Sequence, residues 1–348
     1  MSSLSSASKL SATSRPSSIA VLGAGSWGTA LAILLASNHH TVHLWDHDAE
    51  NINAMARSHI NQPYLPHIPI PQKIKLFSNL ASAVKEVEYI LIVVPSHAFR
   101  SVVNALIPML NQQQKLIWAS KGLDPEAGKL LHEVVDELII WPIPRAVLSG
   151  PSFAAEVAKG LPTAVTVASP DVSYANEVAQ LFRNNVFKVY TSTDMIGVQV
   201  AGSVKNILAV ATGIADGFGF GANARSALIT RGLAEMIRLG VALGGKSETF
   251  IGLAGVGDLV LTCTDNQSRN RRFGIAVGSG TSVQQAEREI GQVVEGARNA
   301  AEVYHLSQRL QVDMPITKQV YGVLFENVSP QEAVSDLLSR ESRSEKES

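Results

Sequence analysis

Cysteine, charge and long apolar runs are scarce in this 348-residue chain, and each scarcity excludes a class of protein. The single cysteine, Cys263, excludes an intramolecular disulfide and suits a reducing compartment. Only 17% of the residues are charged and the formal net charge is −1, so we expect neither nucleic acid nor a membrane surface as the main partner. No run of about 18 apolar residues occurs, so we predict no membrane span. These absences favour a small-molecule ligand and a cytoplasmic location.

A glycine-rich turn, Gly23-x-Gly25-x-x-Gly28, comes directly after the first short apolar strand. In a dinucleotide site the first glycine allows a tight turn, the second lets a diphosphate approach the backbone, and the third lets helix and strand pack closely. A helix over Thr29–Ser37 and a second strand over Thr41–Trp45 complete the expected context. We therefore predict a dinucleotide-binding turn rather than an ordinary glycine-rich loop.

Three further apolar runs end in small, polar or basic residues. The runs are Tyr89–Val94, Lys115–Ala119 and Ala146–Ser149, and they lead into Pro95-Ser96-His97, Ser120-Lys121-Gly122 and Gly150-Pro151-Ser152-Phe153-Ala154. Fully apolar runs are typical of parallel strands buried on both faces, and ligands gather at the carboxyl ends of such strands. We therefore predict one ligand site along one edge of one sheet. The last strands of that sheet are predicted at Thr163–Ala168 and Lys188–Tyr190.

Two kinds of segment predict irregular structure. Residues 59–72 contain four prolines, which forbid regular structure and predict an inserted loop. The glycine-rich stretches 213–221, 252–257 and 278–280 predict loops between helices.

Strand patterns give way to helical periodicity from about Asp194 onward, notably over Val198–Ile214, Ala224–Leu243 and Ala297–Leu310. The fold class that follows is an α/β Rossmann-type dinucleotide-binding domain over residues 18–195, followed by an all-α substrate and dimerisation domain over residues 196–338. The serine-rich residues 1–17 and the charged residues 339–348 predict disordered tails.

Two lysines are candidates for the chemistry. A nicotinamide cofactor moves hydride, so an alcohol substrate also needs a group that takes the hydroxyl proton, commonly His, Tyr or Lys in metal-free sites. Lys205 and Asn206 interrupt an apolar helix, and a desolvated lysine loses basicity, although a lysine can also reach the helix surface. Lys121 follows a buried strand. We predict Lys205 as the general base and no metal ligands.

An isolated acid and a cluster of arginines follow later in the chain. Asp258 lies among apolar residues, which argues for a lysine partner. Arg269, Arg271 and Arg272 fall within four residues and form a local anion site in which Arg269 can hold a phosphate with two hydrogen bonds. The alternative is a solvated face or a salt-bridge cluster.

Five motifs in order carry a family resemblance. They are Gly-Ala-Gly-Ser-Trp-Gly-Thr-Ala, Ser-Lys-Gly, Ser-Gly-Pro-Ser-Phe-Ala, Val-Lys-Asn, and Gly-Asp-Leu followed by Ser-Arg-Asn-Arg. Over residues 18–328 the chain resembles the bacterial type of NAD(P)-dependent glycerol-3-phosphate dehydrogenase. The resemblance implies a homodimer that interconverts sn-glycerol 3-phosphate and dihydroxyacetone phosphate and supplies glycerol 3-phosphate for glycerophospholipid synthesis.

The resemblance also implies a role for individual residues, with Lys205 as the catalytic proton acceptor. The implied substrate-binding residues are Lys121, Gly150, Ser152, Lys205, Asp258, Ser268, Arg269 and Asn270. The implied cofactor-binding residues are Gly23, Gly25, Ser26, Trp27, Gly28, His47, Lys121, Ala154, Arg269, Val293 and Glu295. Thr262 matches a further site threonine.

The choice between NAD and NADP stays open at this stage. The family often has a basic residue after the second strand, whereas here Asp46 precedes His47. A carboxylate at this place accepts hydrogen bonds from a ribose diol and repels a 2′-phosphate, while His47 tolerates the phosphate.

Two other functions are compatible with the residues. One is a dehydrogenase of another substrate, such as a 2-hydroxy acid or a hydroxyacyl thioester, in which Arg269 would hold a different anion. The other is a non-catalytic nucleotide sensor, which would bind cofactor tightly without hydride transfer.

Overall fold

The computed structural model describes residues 15–339, so almost all of the two predicted tails, 1–17 and 339–348, lies outside the described residues. Its strands are β1 (Ser18–Leu22), β2 (Thr41–Trp45), β3 (Ile60–Asn61), β4 (Leu65–Pro69), β5 (Lys75–Phe77), β6 (Tyr89–Ile92), β7 (Lys115–Trp118), β8 (Arg145–Ser149), β9 (Thr163–Ala168) and β10 (Phe187–Ser192).

Eight of these strands form one sheet in the order β10-β9-β8-β7-β6-β1-β2-β5. All neighbours are parallel except β8 and β9, which run antiparallel. Val21 of β1 pairs with Leu44 of β2 on one side and with Leu91 of β6 on the other, so the chain changes direction across the sheet between β1 and β6. In open sheets of this kind the ligand crevice lies outside the carboxyl ends of the strands at that point.

The helices surround this sheet and then form the second half of the described chain. They are α1 (Ser26–Ser37), α2 (Ala49–Ser58), α3 (Leu80–Val84), α4 (Ser96–Leu106), α5 (Leu131–Leu138), α6 (Ala154–Ala158), α7 (Val172–Phe182), α8 (Met195–Gly217), α9 (Ala222–Ala242), α10 (Ser247–Phe250), α11 (Asp258–Thr264), α12 (Arg269–Gly278), α13 (Val283–Ile290), α14 (Glu295–Leu310), α15 (Pro315–Phe325) and α16 (Pro330–Ser339). Between Met195 and Ser339 the structure has helices and no strand. The prediction that an α/β half is followed by an all-α half is therefore confirmed.

Helix α8 is the centre of the helical half. By length and composition it could cross a membrane, but 94% of its most apolar stretch is buried inside the protein, where α9, α11, α12 and α14 pack around it. It contains Lys205 and Asn206, which are 6% and 3% exposed. Two polar residues are therefore held inside a helix whose other buried residues are mainly apolar.

The prediction of a loop over residues 213–221 is wrong in its first part. Gly213 and Gly217 lie inside α8, where a Cβ at Gly213 would meet the carbonyl oxygen of Arg271 at 2.2 Å. Gly274 of α12 faces the same crossing, and a Cβ there would lie 2.3 Å from the Val210 carbonyl oxygen. These glycines let two helix backbones touch, which sequence alone does not distinguish from a flexible joint.

The prediction of an irregular loop over residues 59–72 is also wrong in part. β3 and β4 form a small antiparallel ribbon there, with Ile60 opposite Pro69 and Asn61 opposite Leu65. Pro66 and Pro69 are exposed on the ribbon. A two-stranded ribbon tolerates proline because the missing N–H can face solvent.

Candidate active site

A cleft of about 1100 Å³ opens at the carboxyl ends of the central strands. Its walls come from both halves of the chain: the turns after β1, β6 and β7 on one side, and α8, α11 and α12 with the start of α14 on the other. The site that we predicted at one sheet edge is therefore a cleft shared by the sheet and the helical half.

The glycine-rich turn has the geometry that a dinucleotide requires. Gly23 has a φ of +111°, and a Cβ at Gly28 would lie 1.9 Å from the Gly23 carbonyl oxygen. Gly25 differs, since a Cβ there would meet nothing within 4 Å, and its open side faces the cleft. α1 begins immediately after Gly25 with no side-chain cap, so its first N–H groups and positive dipole end are available to an anion. These features fit the diphosphate of NAD or NADP.

One carboxylate joins the two predicted lysines. Asp258 Oδ1 lies 2.7 Å from Lys205 Nζ, and Asp258 Oδ2 lies 2.8 Å from Lys121 Nζ. Thr262 Oγ1 accepts a further hydrogen bond from Lys205 Nζ at 2.9 Å. Asp258 and Lys205 are 1% and 6% exposed, so the expected buried pair is present and includes a second lysine.

Burial and charge together set the protonation of this group. Desolvation by burial lowers the pKa of Lys205 to about 8, with the nearby Lys121 charge acting in the same direction and Asp258 opposing it. Burial acts to raise the pKa of Asp258, but the two lysines hold it below its usual value. Lys205 can therefore lose and regain a proton near neutral pH while Asp258 stays ionised.

An amide network surrounds the lysines on the side of the helical half. Asn270 Nδ2 donates to Asn206 Oδ1 at 2.9 Å, and Asn270 Oδ1 accepts from the Gly296 N–H at 2.9 Å. Asn206 Nδ2 donates to Glu295 Oε2 at 3.3 Å. Burial raises the pKa of Glu295 at the first turn of α14. The network joins α8, α12 and α14 beside the cleft.

The three arginines do not act as one cluster. Arg269 lines the cleft and donates from Nη1 to Gln292 Oε1 at 2.7 Å. Arg271 is buried, donates to the Cys263 carbonyl oxygen at 3.1 Å and pairs with Asp216. The alternative of a salt-bridged arginine therefore holds for Arg271. Arg272 also lines the cleft but already donates to the Asn266 carbonyl oxygen at 2.6 Å, so we assign the anion site to Arg269.

Comparisons with known proteins agree with this geometry. Residues 18–175 match the family model described as the N-terminus of NAD-dependent glycerol-3-phosphate dehydrogenase, and residues 194–335 match the model of its C-terminus. The chain belongs to the NAD-dependent glycerol-3-phosphate dehydrogenase family. Proteins named glycerol-3-phosphate dehydrogenase [NAD(P)+] from Idiomarina loihiensis and Pseudoalteromonas translucida are 52% and 54% identical to it, each over 94% of this chain and 98% of the relative. The glycerol-3-phosphate dehydrogenase structure from Coxiella burnetii has a TM-score of 0.91 and 49% identity, covering 93% of this chain and 99% of that one.

Most residues that the family resemblance implied lie on the cleft wall of this dehydrogenase. They are Gly23, Gly25, Ser26, Trp27, His47, Lys121, Ser152, Ala154, Lys205, Asp258, Thr262, Arg269, Asn270, Val293 and Glu295.

Gly28, Gly150 and Ser268 are not on the cleft wall; they shape it from behind. Gly150 has a φ of +140°, and a Cβ there would lie 2.9 Å from the Val165 Cα. Ser268 Oγ accepts from the Arg271 N–H at 3.2 Å and caps the helix that presents Arg269 and Asn270.

Sequence reasoning missed several polar residues of the dehydrogenase cleft and its support. Arg298 and Gln292 line the cleft, and Gln292 Nε2 donates to the Pro63 carbonyl oxygen at 3.2 Å. The position of Gln292 directly before Val293 could have indicated it. Asn61, in the proline-rich ribbon, contacts the glycine-rich turn, and no signal in the sequence marks it.

Proposed function

We propose that this protein interconverts sn-glycerol 3-phosphate and dihydroxyacetone phosphate with NAD or NADP as the cofactor. The observation that carries the proposal is the placement of Lys205, with its pKa lowered to about 8, in the same cleft as the glycine-rich turn and Arg269. One cleft thus combines a dinucleotide cradle, a proton-transferring group and an anion-holding group.

Lys205 handles the proton in both directions. When bound, NAD(P) supplies or accepts the hydride at its nicotinamide ring. In the oxidation direction the neutral amine of Lys205 takes the proton from the C2 hydroxyl. In the reduction direction its ammonium returns that proton to the oxygen at C2. Asp258 and Thr262, both within hydrogen-bond distance of Lys205 Nζ, orient the amine.

Arg269 and Asn270 hold the substrate phosphate, and this contact fixes the position of C2 relative to Lys205. Arg269 exchanges its hydrogen bond with Gln292 for bonds to the phosphate, which a guanidinium holds bidentately. Lys121 adds positive potential at the substrate oxygen or phosphate, where charge develops during the reaction. Ser152 borders the substrate site, and Ser268 and Gly150 support it from behind the cleft wall.

The cofactor is held along the glycine-rich turn. Gly23, Gly25 and Gly28 shape the diphosphate cradle, and Ser26 and Trp27 present the first turn of α1. His47, Ala154, Val293 and Glu295 line the remainder of the cofactor path, with Lys121 and Arg269 shared between the two ligands.

We further infer that the protein is a cytoplasmic homodimer that supplies glycerol 3-phosphate for glycerophospholipid synthesis. The family resemblance supports this inference. Light scattering of the purified protein should give about twice the 37.1 kDa chain mass. A mass of one chain at micromolar concentration would refute the dimer.

Loss of NADH or NADPH absorbance on addition of dihydroxyacetone phosphate tests the activity directly. Unphosphorylated dihydroxyacetone serves as the substrate control and Lys205→Ala as the enzyme control. Turnover that requires both the phosphate and Lys205 supports the proposal. Turnover of a 2-hydroxy acid instead would identify another dehydrogenase, and tight cofactor binding without any turnover would identify a nucleotide sensor.

A further inference from the structure

The peptide group between Ala24 and Gly25 is held from inside the protein by Asn61. Asn61 Nδ2 donates to the Ala24 carbonyl oxygen at 2.7 Å and to Thr29 Oγ1 at 2.8 Å. All three residues are 0% exposed. Asn61 belongs to β3, so the ribbon inserted at residues 59–72 reaches the centre of the phosphate-binding turn.

This contact determines where the Gly25 N–H points. The carbonyl and N–H of a trans peptide lie on opposite sides, and the described residues contain no cis peptide bond. Because the Ala24 carbonyl is directed inward to Asn61, the N–H of Gly25 is directed outward. Gly25 lines the cleft, and the space beside its Cα is open. Asn61 thereby orients a donor towards the place where a diphosphate fits.

Asp46 holds the backbone N–H of Ala24, the residue whose carbonyl is held by Asn61. The Ala24 N–H donates to Asp46 Oδ2 at 2.6 Å. Asp46 Oδ1 accepts from the Asp48 N–H at 3.0 Å and lies 2.9 Å from His47 Nδ1. An acid at the end of the second strand ordinarily accepts hydrogen bonds from the cofactor ribose. Asp46 borders the cleft, but both carboxylate oxygens already have protein donors and the side chain is only 13% exposed.

We propose that Asn61 and Asp46 are positioning residues of the phosphate-binding turn, and that Asp46 does not distinguish NAD from NADP. The proposal rests on the dinucleotide-binding part of the proposed function and not on the substrate. Loss of Asn61 frees the Ala24–Gly25 peptide to rotate, and loss of Asp46 frees the Gly23–Ala24 peptide directly before it, so in either variant the Gly25 N–H is held less firmly and its bond to the diphosphate weakens. Since NAD and NADP share this diphosphate, both should be affected by the same factor.

Calorimetric titration of NADH and NADPH into Asn61→Ala tests the first half. We expect both dissociation constants to rise on the order of tenfold. We also expect kcat at saturating cofactor and the KM for dihydroxyacetone phosphate to stay within about twofold, since a lost hydrogen bond at the turn does not reach Lys205. Gln114→Ala is the matched control, because Gln114 is 2% exposed and also donates from a buried amide to backbone carbonyls, those of Val84 and Val87. Unchanged cofactor affinity in Asn61→Ala, or an equal loss in Gln114→Ala, would overturn the positioning role.

Asp46→Asn tests the second half in the same titrations and keeps the proposal falsifiable if Asn61→Ala does not fold. We expect both cofactors to weaken by the same factor, so that the ratio of their dissociation constants changes by less than about twofold. A loss confined to NADH, or tighter binding of NADPH, would show that Asp46 reads the ribose and would overturn the proposal. Binding is measured without substrate, so failure of the dehydrogenase assignment would leave this result interpretable.

Discussion

At the scale of single residues, the sequence predicts which polar side chains are buried, but not every partner with which they pair. A lysine in the middle of an apolar helix predicts a desolvated amine, and Lys205 is indeed 6% exposed. The isolation of Asp258 predicts a lysine partner, which is also confirmed. That Asp258 bridges two lysines could not be predicted, because Lys121 comes from a strand end 137 positions earlier and only the fold brings them together.

Replacing Asp258 by Asn should move the pKa of Lys205 below about 8, because the substitution removes the negative charge that favours the ammonium form. Oxidation needs the neutral amine, so the wild-type rate should rise with pH through about 8 and the variant rate should rise at lower pH. Reduction needs the ammonium form, so its rate should decline at a lower pH in the variant than in the wild type. The measurement is kcat/KM against pH in both directions, with Asp171→Asn as the control, because Asp171 caps α7 and does not line the cleft. A shift to higher pH would contradict the assigned charge relation.

Arg269→Ala should raise the KM for dihydroxyacetone phosphate, by about 10² or more, because a bidentate bond to the phosphate is lost. The dissociation constant for NADH should rise less, since Arg269 is only one of several cofactor contacts and the glycine-rich turn stays intact. Steady-state kinetics and cofactor titration check the two expectations, with Arg288→Ala on exposed α13 as the control. An unchanged KM would exclude Arg269 as the group that holds the phosphate.

At the scale of elements, the main helices and central strands follow from periodicity, whereas their contacts do not. The patterns over Val198–Ile214 and Ala297–Leu310 correspond to α8 and α14. The glycine-rich segments of α8 and α12 look like loops in the sequence, because loops are rich in glycine as well. Their function as a helix crossing depends on a partner backbone that the local sequence does not contain. The β3–β4 ribbon was also missed. Its prolines predict a loop, but they lie on exposed positions, where a strand tolerates them.

Gly274→Ala should lower the free energy of unfolding by about 2 kcal/mol or more, because the added Cβ would lie 2.3 Å from the Val210 carbonyl oxygen and must push α12 away from α8. Arg269 and Asn270 start the same helix, so the KM for dihydroxyacetone phosphate should rise as well. Chemical denaturation and kinetics measure both effects. Gly221→Ala is the control, since a Cβ there meets nothing within 4 Å. Equal stability of the two variants would refute the close crossing.

At the scale of the whole molecule, the two halves share their cores and their cleft. Leu123 and Leu130, from the sheet-bearing half, pack in the core of the helical half. Met195, Val198 and Ala254 pack in a core of the sheet. The sequence predicted the two kinds of structure from their different periodicities. It could not predict the antiparallel β9 or this mutual packing, because both are set by contacts between distant segments.

This mutual packing predicts that cofactor binding stabilises both halves together. NADH at about one hundred times its dissociation constant should add about 2.7 kcal/mol to the stability of the folded state. If the halves unfold as one unit, scanning calorimetry should show a single transition that moves to higher temperature as a whole. Gly25→Val is the informative control: its side chain points into open space and leaves the turn intact, but it occupies the place of the diphosphate, so the shift with NADH should disappear. Two transitions, with only the lower or the upper one responding to NADH, would mean that the two halves are energetically independent.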